Sequence, residues 1–274
     1  PEGSLAEAAS RFECGINADN EQQYIVRHPE RDGLEQGLTA SPEATQINSA
    51  RFTFNIAVDC DYEVYATKFG GDLNAATSYI LTVLGTVNLI YERDIEATLK
   101  FTYVNLWTTA ADPYNQPTTP SQLTEFQNYW QNNMSGVTRN VAHLISARAL
   151  GGGVAYLDAI CGGGPGYGLS AIDCAYTYPT ATTTWDVEVV AHELGHNFGS
   201  YHTQSCQWVQ QGYVASGTLD SCYAPEGNCC AYTPRVPPNK GTIMSYCHLI
   251  AGTANGIRLE FHTACVSRMR FVMS

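Results

Sequence analysis

The stretch His192-Glu193-Leu194-Gly195-His196-Asn197-Phe198-Gly199-Ser200-Tyr201-His202 (HELGHNFGSYH) holds three of the seven histidines in a chain of 274 residues. His192 and His196 are four residues apart. At 3.6 residues per turn they stand on one face of a helix, where two imidazoles reach a single zinc ion at about 2.0–2.1 Å. Glu193 lies one step round, at the rim of that face. From there it reaches a water on the ion rather than the ion itself, which suits a general base. His202 is the informative residue. On an unbroken helix it would lie roughly 15 Å beyond His192 along the axis and on another face. It shares the ion only if the helix stops, and Gly199 is where a stop costs least, because glycine takes the left-handed conformation without a Cβ penalty. Three histidine ligands leave the fourth zinc position open, as in a catalytic rather than a structural site.

Outward from this stretch, apolar periodicity predicts regular structure from Arg51 onward. RFTFNIAVDCDYEVY, ATLKFTYVNLWT and RNVAHLISA read as strands, and the glycine-bracketed GGGVAYLDAICGGG and YGLSAID as two short ones. GDLNAATSYILTVLGTVNLIYERD reads as a long helix starting near Asp72. SQLTEFQNYWQNNMSG is a helix with Ser121 as N-cap and Gly136 as stop, and TTTWDVEVVAHELGHNFG is the helix that carries the histidines, with Thr184 or Asp186 near its start. FHTACVSRMRFVMS is a terminal helix. The alternation predicts an α/β (α+β) fold built on a mixed, mostly parallel five-stranded sheet with helices packed on it. Residues 1–50 are polar and without a clear period, and read as an N-terminal extension or prosegment remnant. The texture changes after residue 203, so 51–203 and 204–274 read as two units, and the irregular Pro-, Gly- and Cys-rich segment of the second needs disulfides to hold it.

Composition limits the partners. There are 26 acidic against 14 basic residues, a net charge of −12. With lysine only at Lys68, Lys100 and Lys240, no basic patch exists for nucleic acid. The acidity reads as solubility; its sharper reading is carboxylates that hold Ca²⁺. No apolar run reaches the roughly 18 residues of a membrane span. Ten cysteines indicate disulfides and an oxidising compartment, hence a secreted protein. Cys161 and Cys174 can staple the loop that contains GGGPG (residues 162–166). The six late cysteines, Cys206, Cys222, Cys229, Cys230, Cys247 and Cys265, can make three bridges. Adjacent Cys229 and Cys230 must take different partners. His143, His248 and His262 read as packing or surface residues, with His248 placed to line a substrate pocket.

HELGHNFGSYH resembles the signature of the metzincin metalloproteases. GTIMSYC (residues 241–247) resembles the turn that carries a methionine beneath the zinc in that family, with Met244 in its place. HELGHNFG and the cysteine after IMSY are most similar to the adamalysin (reprolysin) branch, particularly its bacterial secreted relatives. GGGVAYLDAIC also resembles that branch's upper-rim edge strand. The resemblance implies a zinc endopeptidase with ligands His192, His196 and His202 and with Glu193 as base. It places long helices above the zinc cleft and a peptide substrate along the sheet edge at Gly152, Gly153, Val154, Ala155 and Tyr156. Two departures stand out. Thr203 follows the third histidine where adamalysins usually carry Asp, and Tyr246 stands where they commonly carry Pro. A tyrosine there resembles astacins and serralysins, where it approaches the zinc or the oxyanion.

Cys14-Gly15 resembles the thiol switch of metzincin prosegments; the alternative is a Cys14–Cys60 disulfide. The expected protein is therefore a monomeric secreted zinc protease acting on proteins or peptides. Its alternatives are a latent form held by the N-terminal segment and a binding module without activity. Intact Glu193 argues against the last.

Overall fold

The structure, a computed structural model, describes residues 13–16, 19–26, 28, 52–161, 166–177 and 183–274. The strands are β1 (Glu13–Cys14), β2 (Phe52–Cys60), β3 (Ala97–Leu106), β4 (Val141–Ser146), β5 (Gly152–Ala155) and β6 (Tyr167–Ala171). Four longer helices are α1 (Leu73–Ile95), α2 (Thr119–Asn133), α3 (Trp185–Asn197) and α4 (Thr263–Met273). The sheet order is β1-β5-β6-β4-β2-β3. β3, β2, β4 and β6 run parallel, and β5 is antiparallel to β6. This is the expected mixed, mostly parallel five-stranded sheet of an α/β fold. A sixth strand, β1, is added by the segment read as an extension and pairs parallel with β5. Most of residues 1–50, and Gly162–Pro165 of the GGGPG loop, lie outside the described residues.

Strand alternation builds two cores. Phe54, Ile56, Val58 and Cys60 of β2 face α1, α3 and α4, together with Val141 and Ile145 of β4. The intervening Ala57 faces α2, with Ala142 and Leu144, against Leu123, Phe126 and Trp130. Asp59 is buried on this second face. Its carboxylate accepts from Tyr114 Oη at 2.6 Å, Asn105 Nδ2 at 2.8 Å and Trp130 Nε1 at 3.2 Å, so the buried charge is matched by donors.

α1 starts as expected, with the Asp72 carboxylate accepting from Ala75 N. By length and mean hydropathy (1.4) α1 could pass for a membrane span. Here Ile80, Val83, Leu84, Val87 and Tyr91 instead pack into the main core, and Tyr91 Oη donates to Ala191 O of α3 at 2.9 Å. α2 is capped three residues earlier than expected, by Thr118 rather than Ser121. Ser121 is the reciprocal member of that capping box, and the helix stops at Met134 before reaching Gly136. All of α3 is buried, including Asp186 and Glu188 in its first turn, where acidic groups favour the helix dipole.

Beyond residue 203 the disulfides Cys206–Cys229 and Cys222–Cys247 form. The third expected bridge does not. Cys230 is an exposed thiol and Cys265 a buried one, because α4 turns Cys265 into the core. Cys174 and Cys60 are also thiols, so neither the Cys161–Cys174 staple nor the Cys14–Cys60 pair is formed. His143 is buried in β4 against Ser170 Oγ (2.9 Å), and His262 caps α4 by accepting from Ala264 N.

Candidate metal centre

α3 presents His192 and His196 one turn apart and then ends at Asn197. Gly199 has φ +91°, as a left-handed exit requires. Gly199 N donates to His196 O (2.8 Å) and Ser200 N to Gly195 O (2.9 Å), which closes the turn. The turn returns His202 so that its Nε2 lies 3.1 Å from His196 Nε2. A Cβ at Gly199 would be strained by the backbone and would meet Val272 Cγ2 of α4 at 2.6 Å. Gly199→Ala is therefore expected to cost about 1–3 kcal/mol in stability, read as a lowered Tm in a thermal melt. An unchanged Tm would show that the exit does not need glycine.

Each ring is held through its far nitrogen. His192 Nδ1 donates to Ile243 O at 2.8 Å and His196 Nδ1 to Ser200 O at 2.8 Å. His202 Nδ1 donates to Glu226 Oε1 at 2.7 Å. With the protons fixed on Nδ1, three Nε2 lone pairs point at one another. Burial, then the neighbouring His202, hold His192 and His196 well below the usual imidazole range, so both are neutral. His192 Nε2 is buried without a hydrogen-bond partner. Converging imidazole nitrogens, one of them buried without a partner, are what a cation satisfies.

The fourth corner is Cys14. Its Sγ and one nitrogen from each of the three histidines all lie within 4.8 Å of one another. Zn–N and Zn–S bonds in a tetrahedron place nitrogens about 3.3 Å apart and sulfur about 3.5 Å from nitrogen. Cys14 Sγ is 3.5 Å from His196 Nε2, so the donor set fits zinc in size and in chemistry. Among the described residues the other grouping close enough to share an ion is Asp220, Cys222 and Cys247, whose cysteines are bridged to each other. Neither grouping is a carboxylate cluster of the kind that holds calcium.

Cys14 arrives on β1. Glu13 and Cys14 register with Gly152 and Gly153, and Gly15 N donates to Gly153 O at 2.6 Å. Farther on, Val26 N donates to Leu157 O (3.0 Å) and His28 Nε2 to Asp158 O (2.7 Å). The β5 edge, expected to be exposed, is thus covered by the N-terminal segment. On its other side β5 lies hard against α3: a Cβ at Gly153 would collide with the Glu193 carboxyl. Val154 packs into the α2 core, while Tyr156, just past β5, donates through its hydroxyl to Gln127 Oε1 at 2.6 Å.

Glu193 is buried, and burial pushes its carboxyl well above the usual range. Cys14 Sγ lies 3.6 Å from Glu193 Oε2. Burial and then Glu193 push the Cys14 thiol up as well. The Tyr246 hydroxyl stands 3.4 Å from His202 Nε2 and accepts from Cys14 N at 3.0 Å. Met244 sits in the turn closed by Ser245 N and Thr242 O, with its Sδ packed where a side chain on Gly195 would go. Thr203 N donates to Met244 O at 2.9 Å. His248 is buried 3.0 Å from Glu188, and both line a narrow cavity together with Glu193 and Cys14.

The structure therefore brings together His192, His196, His202, Glu193, Tyr246 and Cys14, with Met244 beneath them and Gly152–Ala155 alongside. Three partners escaped the sequence reading. The carbonyls of Ser200 and Ile243 carry no side-chain signal, and Glu226 is distant in sequence. The only cue to Glu226 was its place three residues before a cysteine.

Comparison with known proteins bears on the family of the chain. The reprolysin-type family model described as Metallo-peptidase family M12 matches residues 50–254. Disintegrin and metalloproteinase domain-containing protein 1 of Rattus norvegicus is 28% identical over 138 residues, which is 49% of this chain and 16% of that protein. The chain thus spans only a small part of that relative's length. Among solved structures, metalloproteinase-II from Bacteroides fragilis matches with TM-score 0.37 and 18% identity, covering 56% of this chain and 44% of that one. A chaperone-substrate complex matches with TM-score 0.47 and 16% identity, covering 80% of this chain and 33% of that one. The family match spans most of the chain, and the chain belongs to metallo-peptidase family M12.

Proposed function

We propose that the chain is a zinc-dependent endopeptidase that works outside the cell, its cleft lying between an upper unit (51–203) and a lower unit (204–274). The convergence of three imidazoles, with His192 Nε2 left without a partner, beside a buried Glu193 carries this reading. Zinc held by His192, His196 and His202 would lower the pKa of a water towards 7 and polarise the scissile carbonyl. Glu193 takes the proton of the attacking water on its carboxylate and passes one to the leaving amine nitrogen. The Tyr246 hydroxyl, free of Cys14 N, donates to the oxygen that gains charge. Gly152–Tyr156 offers backbone groups to an extended peptide, and His248 lines the neighbouring side-chain cavity. Met244 supports α3 from below.

The two disulfides support an oxidising, extracellular setting. A latent form is favoured by a specific observation: Cys14 occupies the corner a substrate oxygen would need, and β1 occupies the edge a peptide would need. The intact base argues against a mere binding module. The test is hydrolysis of casein and of quenched fluorescent peptides after removal of the N-terminal segment. Turnover should fall to background with a chelator and return on adding zinc. Turnover indifferent to the chelator, or none from protein shown to contain zinc, would overturn the reading.

A further inference from the structure

The third histidine is not carried by α3. It lies on an irregular segment, which by itself would leave the ring free to turn. Three observations show what holds it. Glu226 Oε1 accepts from His202 Nδ1 at 2.7 Å, and this carboxylate is itself 10% exposed against 1% for the histidine. The two segments form a short parallel ladder, in which Glu226 N donates to Gln204 O (3.0 Å) and Cys206 N to Glu226 O (3.0 Å). The Cys206–Cys229 disulfide then ties the ends of that ladder. Gly227, at φ +116°, lets the chain pass Cys206, whose Cβ a side chain at 227 would meet at 3.0 Å. The position next to His202 does not supply an acid. Thr203 is turned towards Met244, with both its N (2.9 Å) and its hydroxyl (3.3 Å) on Met244 O.

We propose that Glu226 is a positioning residue for the third ligand, and that the Cys206–Cys229 bridge is there to keep it in place. His192 and His196 donate to backbone carbonyls, which no substitution removes. His202 donates to a carboxylate, whose full charge makes the imidazole a better donor of its Nε2 lone pair. The ladder and bridge fix the carboxylate where the ring needs it. This rests on the zinc reading above and assigns to the loop at 226–229 a task in metal retention.

The experiment measures zinc affinity and release with a chromophoric chelator, and the visible spectrum of the cobalt-substituted protein, on the full chain carrying Cys14→Ala so that only the histidines bind. Glu226→Ala should weaken zinc binding about 10–100-fold and shift the cobalt spectrum. Glu226→Gln, whose amide oxygen still accepts from Nδ1, should lose less. Replacing both Cys206 and Cys229 by serine should speed zinc release in the direction of Glu226→Ala. Folded Glu226→Ala and Glu226→Gln proteins that hold zinc within twofold of the parent would overturn the proposal. If the parent itself binds no zinc, the metal reading fails instead. If Glu226→Ala does not fold, Glu226→Gln decides: affinity equal to the parent with an unshifted cobalt spectrum refutes a role for the carboxylate charge.

Discussion

Glu193→Gln should lose about 10²–10⁴-fold in kcat/KM while binding zinc as tightly as the parent. The amide keeps the shape of the carboxyl and can still lie against Cys14 and Gly153, so the fold has no reason to change. It cannot accept a proton at the pH of the reaction. On the transition-state scale the loss corresponds to about 3–5 kcal/mol. The measurement is paired: steady-state hydrolysis of a quenched peptide by protein freed of its N-terminal segment, and metal content of the same preparation. An intact rate in zinc-loaded Glu193→Gln would assign the proton transfer to another group. The buried Glu188–His248 pair beside the cavity would then be the first to consider.

Cys14→Ala should raise peptide hydrolysis by the intact chain at least about tenfold. A contact worth about 1.5–3 kcal/mol that holds the segment closed corresponds to a population shift of that order or more. The remaining hold is backbone pairing along β5 and the anchors at Leu157 and Asp158, so the variant is expected to be less active than protein from which the segment has been removed. Initial rates of the three forms at equal zinc content provide the check. If Cys14→Ala stays as slow as the parent while removal of the segment activates, the block is steric cover of the edge, and the thiol is incidental.

Much of this architecture was legible because local rules sufficed. Alternation in Phe52–Cys60 and the 3.6-residue period of Leu73–Ile95 each reflect a face buried against a large neighbour. The histidine spacing was legible because it too is local: Gly199 ends α3 in a left-handed conformation, and the turn brings His202 back beside His196. Where the outcome is decided by distant chain, the sequence was silent or misleading. Two residues of β1 have no periodicity to read, and their partners, Gly152 and Gly153, lie far along the chain. The cap of α2 was missed for a local reason: Ser121 has a capping side chain, but it serves as the reciprocal member of a box whose cap is Thr118. Cysteine parity suggested a third bridge among the late residues, yet Cys265 faces the core from α4, where packing rather than pairing occupies it. Glu226 reaches His202 only because a disulfide and a glycine bring its loop there.

The last helix has a consequence for how the protein matures. Arg268 Nε of α4 donates to Gly199 O at 2.6 Å, its Nη1 reaches Gln211 Oε1 at 2.8 Å, and its guanidinium lies 4.5 Å over the Tyr201 ring. Val272 fills the space above Gly199. The bend that delivers the third histidine is therefore braced from 69 residues further along the chain. A chain emerging from the ribosome would carry His192 and His196 on their helix well before α4 exists. Closing so long a loop has an entropic cost that the docked helix helps to offset. The bend at Gly199 is therefore expected to settle late in folding, once α4 has docked.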